Sequence, residues 1–250
     1  MVDAVVLAGS TNDGPLKECS PVRYEALIPI GPRSMVEYVL DALLEVREID
    51  RVVVVGPPDE LVGRLKQGIA VADPGDDLLE NVQRGIRLLP GTRRVLLVTS
   101  DIPLITPRAI EDFLEQCRDQ SADLYYPVVP KEVVENRFRQ VRRTYVSLQE
   151  GIFTGGNLFL LNPAVVSGCL PLARRLVRAR KSPLQLCRLV GLPFLVRFLL
   201  HRITLREAES RVSSLLGIRG VVVVSHYPEV GVDVDKPADL DLVTKTLLSA

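Results

Sequence analysis

The stretch Val95-Leu96-Leu97-Val98-Thr99-Ser100-Asp101-Ile102-Pro103-Leu104 decides the fold. Four apolar residues in succession read as a strand buried on both faces, as in a parallel sheet covered by helices. The strand then stops at a carboxylate. In open α/β sheets, ligands bind beyond the carboxyl ends of the strands. An aspartate there, held beside Pro103, is placed to hold a divalent cation against a phosphate. The plainer reading makes Asp101 the cap of the next helix, but Thr106 as N-cap and Pro107 at N1 already supply that start.

Outward from this strand, apolar runs and helical patterns alternate. Residues 4–8, 51–55, 69–72, 94–99 and 123–129 read as strands, 26–30 as a short extended stretch, and 35–44, 60–67, 78–89 and 110–120 as helices. Strands separated by helices imply right-handed crossovers and a mostly parallel sheet. In the second half, 145–148 and 157–161 read as strands flanking a turn region at 151–156. A helical block follows at about 164–216, then a strand at 221–225 and a last helix at 240–248. The expectation is one α/β domain over 1–250, a three-layer α/β/α arrangement with a mixed, mainly parallel sheet. Residues 1–130 form one half, and 131–250 the other, carrying a helical insertion.

Composition narrows the function. The 250 residues hold 31 Lys plus Arg and 31 Asp plus Glu, so no global field calls for nucleic acid. Cys19, Cys117, Cys169 and Cys187 show neither a C-x-x-C pair nor metal-ligand spacing, and read as small buried hydrophobes in a reducing compartment. The chain enters a strand pattern without a basic leader, and its apolar stretches break before a membrane-spanning length; a cytoplasmic protein is expected. His201 and His226 lack partners at metal spacing and read as structural or surface residues.

Two further segments carry chemistry. The first strand ends in Leu7-Ala8-Gly9-Ser10, small residues that let backbone amides approach a phosphate. It matches neither G-x-G-x-x-G nor the G-K-[ST] of a P-loop, and a tight turn between strand and helix explains it as well. The second is Val232-Asp233-Val234-Asp235-Lys236-Pro237-Ala238-Asp239-Leu240. Alternation puts Asp233 and Asp235 on one side of an extended segment, where like charges repel unless a cation or solvent intervenes. Asp239 belongs to the first turn of the last helix. Alone, the cluster reads equally as a solvated acidic turn; with Asp101 it forms a candidate Mg2+ site.

Leu7-Ala8-Gly9, Ser100-Asp101-Ile102-Pro103-Leu104 and the 232–240 segment together resemble the nucleotidyltransferases of glycosyltransferase A-type fold. Within them the chain is similar to the MobA-like NTP transferases, the group of the molybdenum-cofactor guanylyl- and cytidylyltransferases. The resemblance implies that Leu7, Ala8, Gly9, Ser10, Asn81 and Ser100 hold a nucleoside triphosphate, GTP or CTP. It further implies that Asp101, Asp233 and Asp235 bind Mg2+, and that Arg142, Arg143, Thr154, Gly155, Gly156 and Asn157 face a small phosphorylated acceptor. The implied reaction moves a nucleoside monophosphate to that acceptor and releases pyrophosphate. Relatives carry a lysine in [PS]-K-A-L-[ILV]-P; this chain has Glu25 there, in Arg23-Tyr24-Glu25-Ala26-Leu27-Ile28-Pro29. Either Lys17, Arg23 or another basic side chain would then supply the missing positive charge, or the nucleotide is bound weakly or differently. A sugar transferase using a nucleotide-sugar donor, or a non-catalytic nucleotide-binding protein, are the alternatives; Glu25 favours the latter.

Residues 151–206 contain no Asp or Glu but carry Arg174, Arg175, Arg178, Arg180, Lys181, Arg188, Arg197, Arg202 and Arg206 beside apolar runs. Three readings stand: collection of an anionic acceptor, contact of 174–206 with an anionic membrane surface, or arginines solvated and paired elsewhere. Arg137 and Arg139 extend the basic character ahead of Arg142 and Arg143.

Overall fold

The computed structural model describes residues 1–119, 121–139, 141, 143–179 and 189–249. In chain order its elements are β1 (Val2–Leu7), β2 (Pro29–Ile30), β3 (Arg33–Ser34), α1 (Met35–Glu45), β4 (Ile49–Val55), α2 (Pro58–Leu61), β5 (Ala70–Ala72) and α3 (Leu78–Arg87). There follow β6 (Val95–Thr99), α4 (Pro107–Gln116), β7 (Leu124–Pro130), α5 (Lys131–Arg137), β8 (Val146–Leu148), β9 (Gly151–Gly155), β10 (Leu158–Leu161) and α6 (Pro163–Ala179). The last are α7 (Leu192–Leu199), α8 (Leu205–Leu216), β11 (Gly220–Val224) and α9 (Pro237–Leu248). Short 3-10 turns stand at Pro15–Glu18, Glu25–Leu27 and Pro228–Gly231.

Nine strands form one mixed sheet, with β5, β4, β1 and β6 side by side and all parallel. β10 lies antiparallel between β6 and β7, β9 continues along the same edge of β7, and β11 takes the other edge in parallel. β8 closes a hairpin on β9. Only β9 and β10 therefore run against the rest, which makes the sheet mainly parallel in direction. Alternating side chains of β1 serve two cores: Ala4 and Val6 face the larger one, with residues of α1, α4 and α9, while Val5 and Leu7 face the smaller one under α3 and α6.

Local chemistry explains the helices near the strand ends. Thr106 accepts from the Ala109 N–H at 3.2 Å and Pro107 occupies the first turn, the start signal read from the sequence. Asp77 caps α3 by accepting from the Glu80 N–H at 2.8 Å. Gly85 lets α3 lie close on β1, since a Cβ there would overlap the Val5 side chain.

Several local expectations change. Residues 151–156 are not simply a turn: β9 occupies Gly151–Gly155, because Phe153–Gly155 pair with β7 and Gly151–Phe153 with β8. Residues 26–30 are extended only from Pro29; before it the chain makes a 3-10 turn over Glu25–Leu27 that buries Ala26 and Leu27. The helix expected at 60–67 is α2, which ends at Leu61. Cys117 is buried as expected, but Cys19 is exposed, and Cys187 lies outside the described residues.

Candidate active site

Three strand ends meet at one level. Leu7 stands opposite Val55 on one side and Thr99 on the other, so the loops leaving β1 and β6 begin side by side. The Ser100 N–H donates to the Leu7 carbonyl at 3.2 Å and locks them together. Beyond β1 the chain passes under α3 at Gly9, where a Cβ would stand 2.7 Å from the Pro74 Cβ and 3.1 Å from Asn81 Nδ2. Only glycine fits that approach. Asn81 is buried, and its Oδ1 accepts from the Gly75 N–H at 2.6 Å. Asn12 pins the following loop by donating from Nδ2 to the Ser20 and Val22 carbonyls at 2.9 and 3.1 Å. The result is a cleft of about 450 Å3 with Leu7, Gly9, Ser10, Asn81, Ser100 and Asp101 in its wall.

Asp233 and Asp235 arrive from the far end of the chain. The Asn157 N–H donates to the Val230 carbonyl at 3.0 Å, and the Asn157 carbonyl accepts from the Thr99 N–H at 3.1 Å. Buried Glu229 accepts from the Thr106 hydroxyl at 2.8 Å. The Val234 N–H donates to the Asp101 carbonyl at 2.8 Å. Asp239 is spent locally, its carboxylate accepting from the Asp235 and Lys236 N–H groups at 3.2 and 3.1 Å. One carboxylate oxygen each of Asp101, Asp233 and Asp235 then lies within 4.8 Å of the other two.

This cluster is electrostatically incomplete. Burial, then the charges of Asp235 and Glu25, push the Asp101 carboxyl up to about 6 against a hydrogen bond from Thr99. Burial and Asp101 likewise push Asp233 up to about 7, against the pull of Arg143. Asp101 Oδ1 is buried with no hydrogen-bond partner. Arg143, itself buried, forks onto Asp233, one guanidinium nitrogen on the carboxylate and the other on the backbone carbonyl. Glu25 lines the same cleft, and burial, Asp235 and Asp13 raise its carboxyl. Asp76 and Asp77 add acidity, and no Lys or Arg lines the cleft among the described residues. An orphaned carboxylate oxygen facing two more carboxylates is the donor set a hard, oxygen-seeking cation fits.

The other residues singled out in the sequence fall into groups. Ala8 is fully buried beneath the cleft rather than in its wall. Lys17 stands exposed on the Pro15–Glu18 turn, and exposed Arg23 lies over the Tyr24 ring at 5.3 Å. Neither lines the cleft. Arg142 lies outside the described residues. Thr154 is buried on β9. Gly155 lies against the Tyr126 hydroxyl, where a Cβ would overlap, and Gly156 donates to the Pro127 carbonyl at 2.9 Å. Both histidines are exposed. Of the basic segment, Arg174 pairs with Asp77 at 3.2 Å and Arg197 with Glu207 at 2.6 Å; Arg180, Lys181 and Arg188 lie outside the described residues. No described helix is long and apolar enough to cross a membrane.

The sequence reading missed Asp76 and Asp77 in the cleft wall, and Tyr126. The Asp77-x-x-Glu80 spacing before a helical pattern was the available signal for the first pair. Tyr126 carries none, because its contact with Gly155 comes from a residue diagonal to it on another strand.

Comparison with known proteins follows the same lines. The chain is similar to a hypothetical transferase from Thermus thermophilus, with 43% identity over 96% of this chain and 99% of that one, and a TM-score of 0.83. Its fold is shared with a CMP:2-keto-3-deoxy-manno-octonic acid synthetase complexed with CTP, at 15% identity, TM-score 0.65, covering 99% and 98% of the two chains. It is shared as well with the 2-C-methyl-D-erythritol 4-phosphate cytidylyltransferase of Thermus thermophilus, at 17% identity, TM-score 0.56 and full coverage of both (100% and 100%). No curated protein matches the chain at a significant level. The MobA-like NTP transferase domain model matches residues 22–195, from the turn at Glu25 through Asp101 to α7, and the chain belongs to that family.

Proposed function

We propose that this protein is a cytoplasmic, Mg2+-dependent nucleotidyltransferase that moves a nucleoside monophosphate from CTP or GTP to a small phosphorylated acceptor. The convergence of Asp233 and Asp235 on Asp101, which lines the Gly9–Asn81 cleft, carries this reading. Cytidylyltransferases among the proteins of like fold support it. The domain would span 1–250, with 1–130 taking the nucleotide and 131–250 the acceptor.

The backbone at Gly9 and Ser10 and the amide of Asn81 would orient the triphosphate, Gly9 letting the loop after β1 pack against Pro74 and Asn81. Asp101, Asp233 and Asp235 would hold Mg2+, which supplies neutralisation of phosphate charge when bound. Among the described residues the cleft wall is acidic, and the positive charges of Arg143 and Arg174 are paired with Asp233 and Asp77. Thr154, Gly155 and Asn157 would position the acceptor, whose phosphate oxygen attacks the α-phosphorus. A P–O bond forms there as the bond to the leaving pyrophosphate breaks.

Pyrophosphate release, measured with each triphosphate and a panel of phosphorylated acceptors, tests the reading. Release with one triphosphate–acceptor pair, lost in Asp101→Asn, supports it. Glu25 favours a second reading, a nucleotide-binding protein without turnover; it predicts triphosphate binding with no pyrophosphate released from any pair.

A further inference from the structure

A second cavity of about 360 Å3 lies between the sheet and α8. Its wall is almost wholly apolar: Tyr126 and Val222 from the sheet, Leu148 and Phe153 from the β8–β9 hairpin, Ala208 and Val212 from α8. Glu209, the one carboxylate in the lining, is occupied with the Val222 N–H at 2.8 Å. The size falls within the range of small-molecule pockets.

The cavity shares residues with the acceptor side proposed above. Thr154 and Gly155 line it, and so does Val146, at the start of the strand that follows Arg143. Arg143 in turn grips Asp233. α7 lies just before α8 in the chain. Leu192, Leu199 and Leu200 there are 62%, 65% and 57% exposed, beside Arg197 and Arg202, and the chain then enters α8 at Leu205, a lining residue. An exposed leucine face carrying Arg202, with Arg197 paired to Glu207, next in the chain to an apolar cavity, matches an amphiphile with an anionic head.

Resting on the transferase reading above, we propose that the acceptor is a lipid phosphate, its apolar chain lying in this cavity and its phosphate at the Arg143–Asp233 end. The step balances as a phosphoanhydride exchange. A lipid phosphate oxygen forms the new bond to the α-phosphorus, the α–β bridging bond breaks, and pyrophosphate leaves with its electron pair. No redox partner is needed, and the product is a lipid joined to the nucleotide through a diphosphate.

Titration of the full chain with ethyl, hexyl and decyl phosphate, below their micelle concentrations and with Mg2+ and CTP or GTP present, tests this. Affinity is expected to rise with chain length by up to about fourfold per methylene until the cavity is full. Ala208→Phe, and independently Val212→Phe at a half-exposed position, fill the cavity and are expected to weaken decyl phosphate at least about tenfold. Triphosphate affinity, titrated separately, stays unchanged in both. Equal affinity for ethyl and decyl phosphate overturns the proposal, as does a chain-length dependence that both variants leave intact. Failure of the triphosphate titration itself defeats the transferase reading instead, and leaves the chain-length series readable.

Discussion

The Val234 N–H donates to the Asp101 carbonyl at 2.8 Å, joining the end of β6 to the segment before α9 through backbone alone. The three carboxylates are thus brought together by main-chain bonds that do not depend on their charge. Asp101→Asn should therefore keep the fold while removing one of three repelling acids. Without divalent cation at pH 7.5 the variant is expected to melt about 2–4 °C higher than the native chain, the shift that ~1 kcal/mol gives a protein of this size. Calorimetry with added Mg2+ should then stabilise the native chain and leave the variant unmoved; an equal rise in both would place the cation elsewhere.

The raised carboxyls give stability a definite pH dependence. An acid whose pKa is higher folded than unfolded binds its proton more tightly in the folded state, so stability falls as pH climbs between the two values. For Asp101 that interval runs from 3.8 to about 6, and for Asp233 from 3.8 to about 7. Asp3, Asp41 and Glu80 are shifted the opposite way, and their contribution is lost only as pH falls toward and below the ordinary carboxylate range. Metal-free melting temperature should accordingly decline from pH 5 to pH 7.5, and decline less in Asp101→Asn. A flat or rising native profile over that window would contradict the burial assigned to these acids.

Glu25 faces the same cleft as Asp101, and its carboxyl is raised by burial and by Asp235 and Asp13. Glu25→Lys replaces repulsion of the triphosphate with attraction. Affinity for CTP or GTP with Mg2+ should improve about tenfold, equivalent to ~1.4 kcal/mol. Titration calorimetry on the two proteins gives the comparison, and unchanged or weaker binding would show that position 25 does not meet the phosphates.

Gly155 and Tyr126 offer a test of packing. A Cβ at Gly155 would overlap the Tyr126 hydroxyl and approach its ring carbon Cζ to 3.1 Å. Gly155→Ala should destabilise by about 1–3 kcal/mol. Removing the hydroxyl with Tyr126→Phe in the same chain should recover most of that loss, read as a coupling energy in a double-mutant cycle of urea unfolding. Additive losses would mean the two positions do not touch.

What was legible in the sequence was mostly local or periodic. β6 and its terminal Asp101 follow from a run of four apolar residues and a stop, and the Thr106–Pro107 start from cap chemistry alone. Asp233 and Asp235 were placed on one side by the two-residue repeat of an extended chain, and both reach Asp101. β9 was hidden because its bounding glycines carry turn chemistry, while its strand state comes from pairing with β7 and β8. The direction of β10 has no local signature at all, since register and orientation are set by neighbours. The apolar cavity was equally unreadable, because its walls come from strands and a helix scattered across the second half.

The acid triad draws one member from the middle of the chain and two from near its end, behind the Val230 and Val234 backbone bonds. During synthesis the cleft walls at Gly9, Asn81 and Asp101 leave the ribosome long before Asp233. A growing chain thus has a place for a nucleotide but no complete place for the cation. Chains cut short before Val230, by a stalled ribosome or a protease, would lack two of the three clustered carboxylates whatever else they had folded. Cation-dependent protection from proteolysis would therefore report that synthesis has passed Asp235.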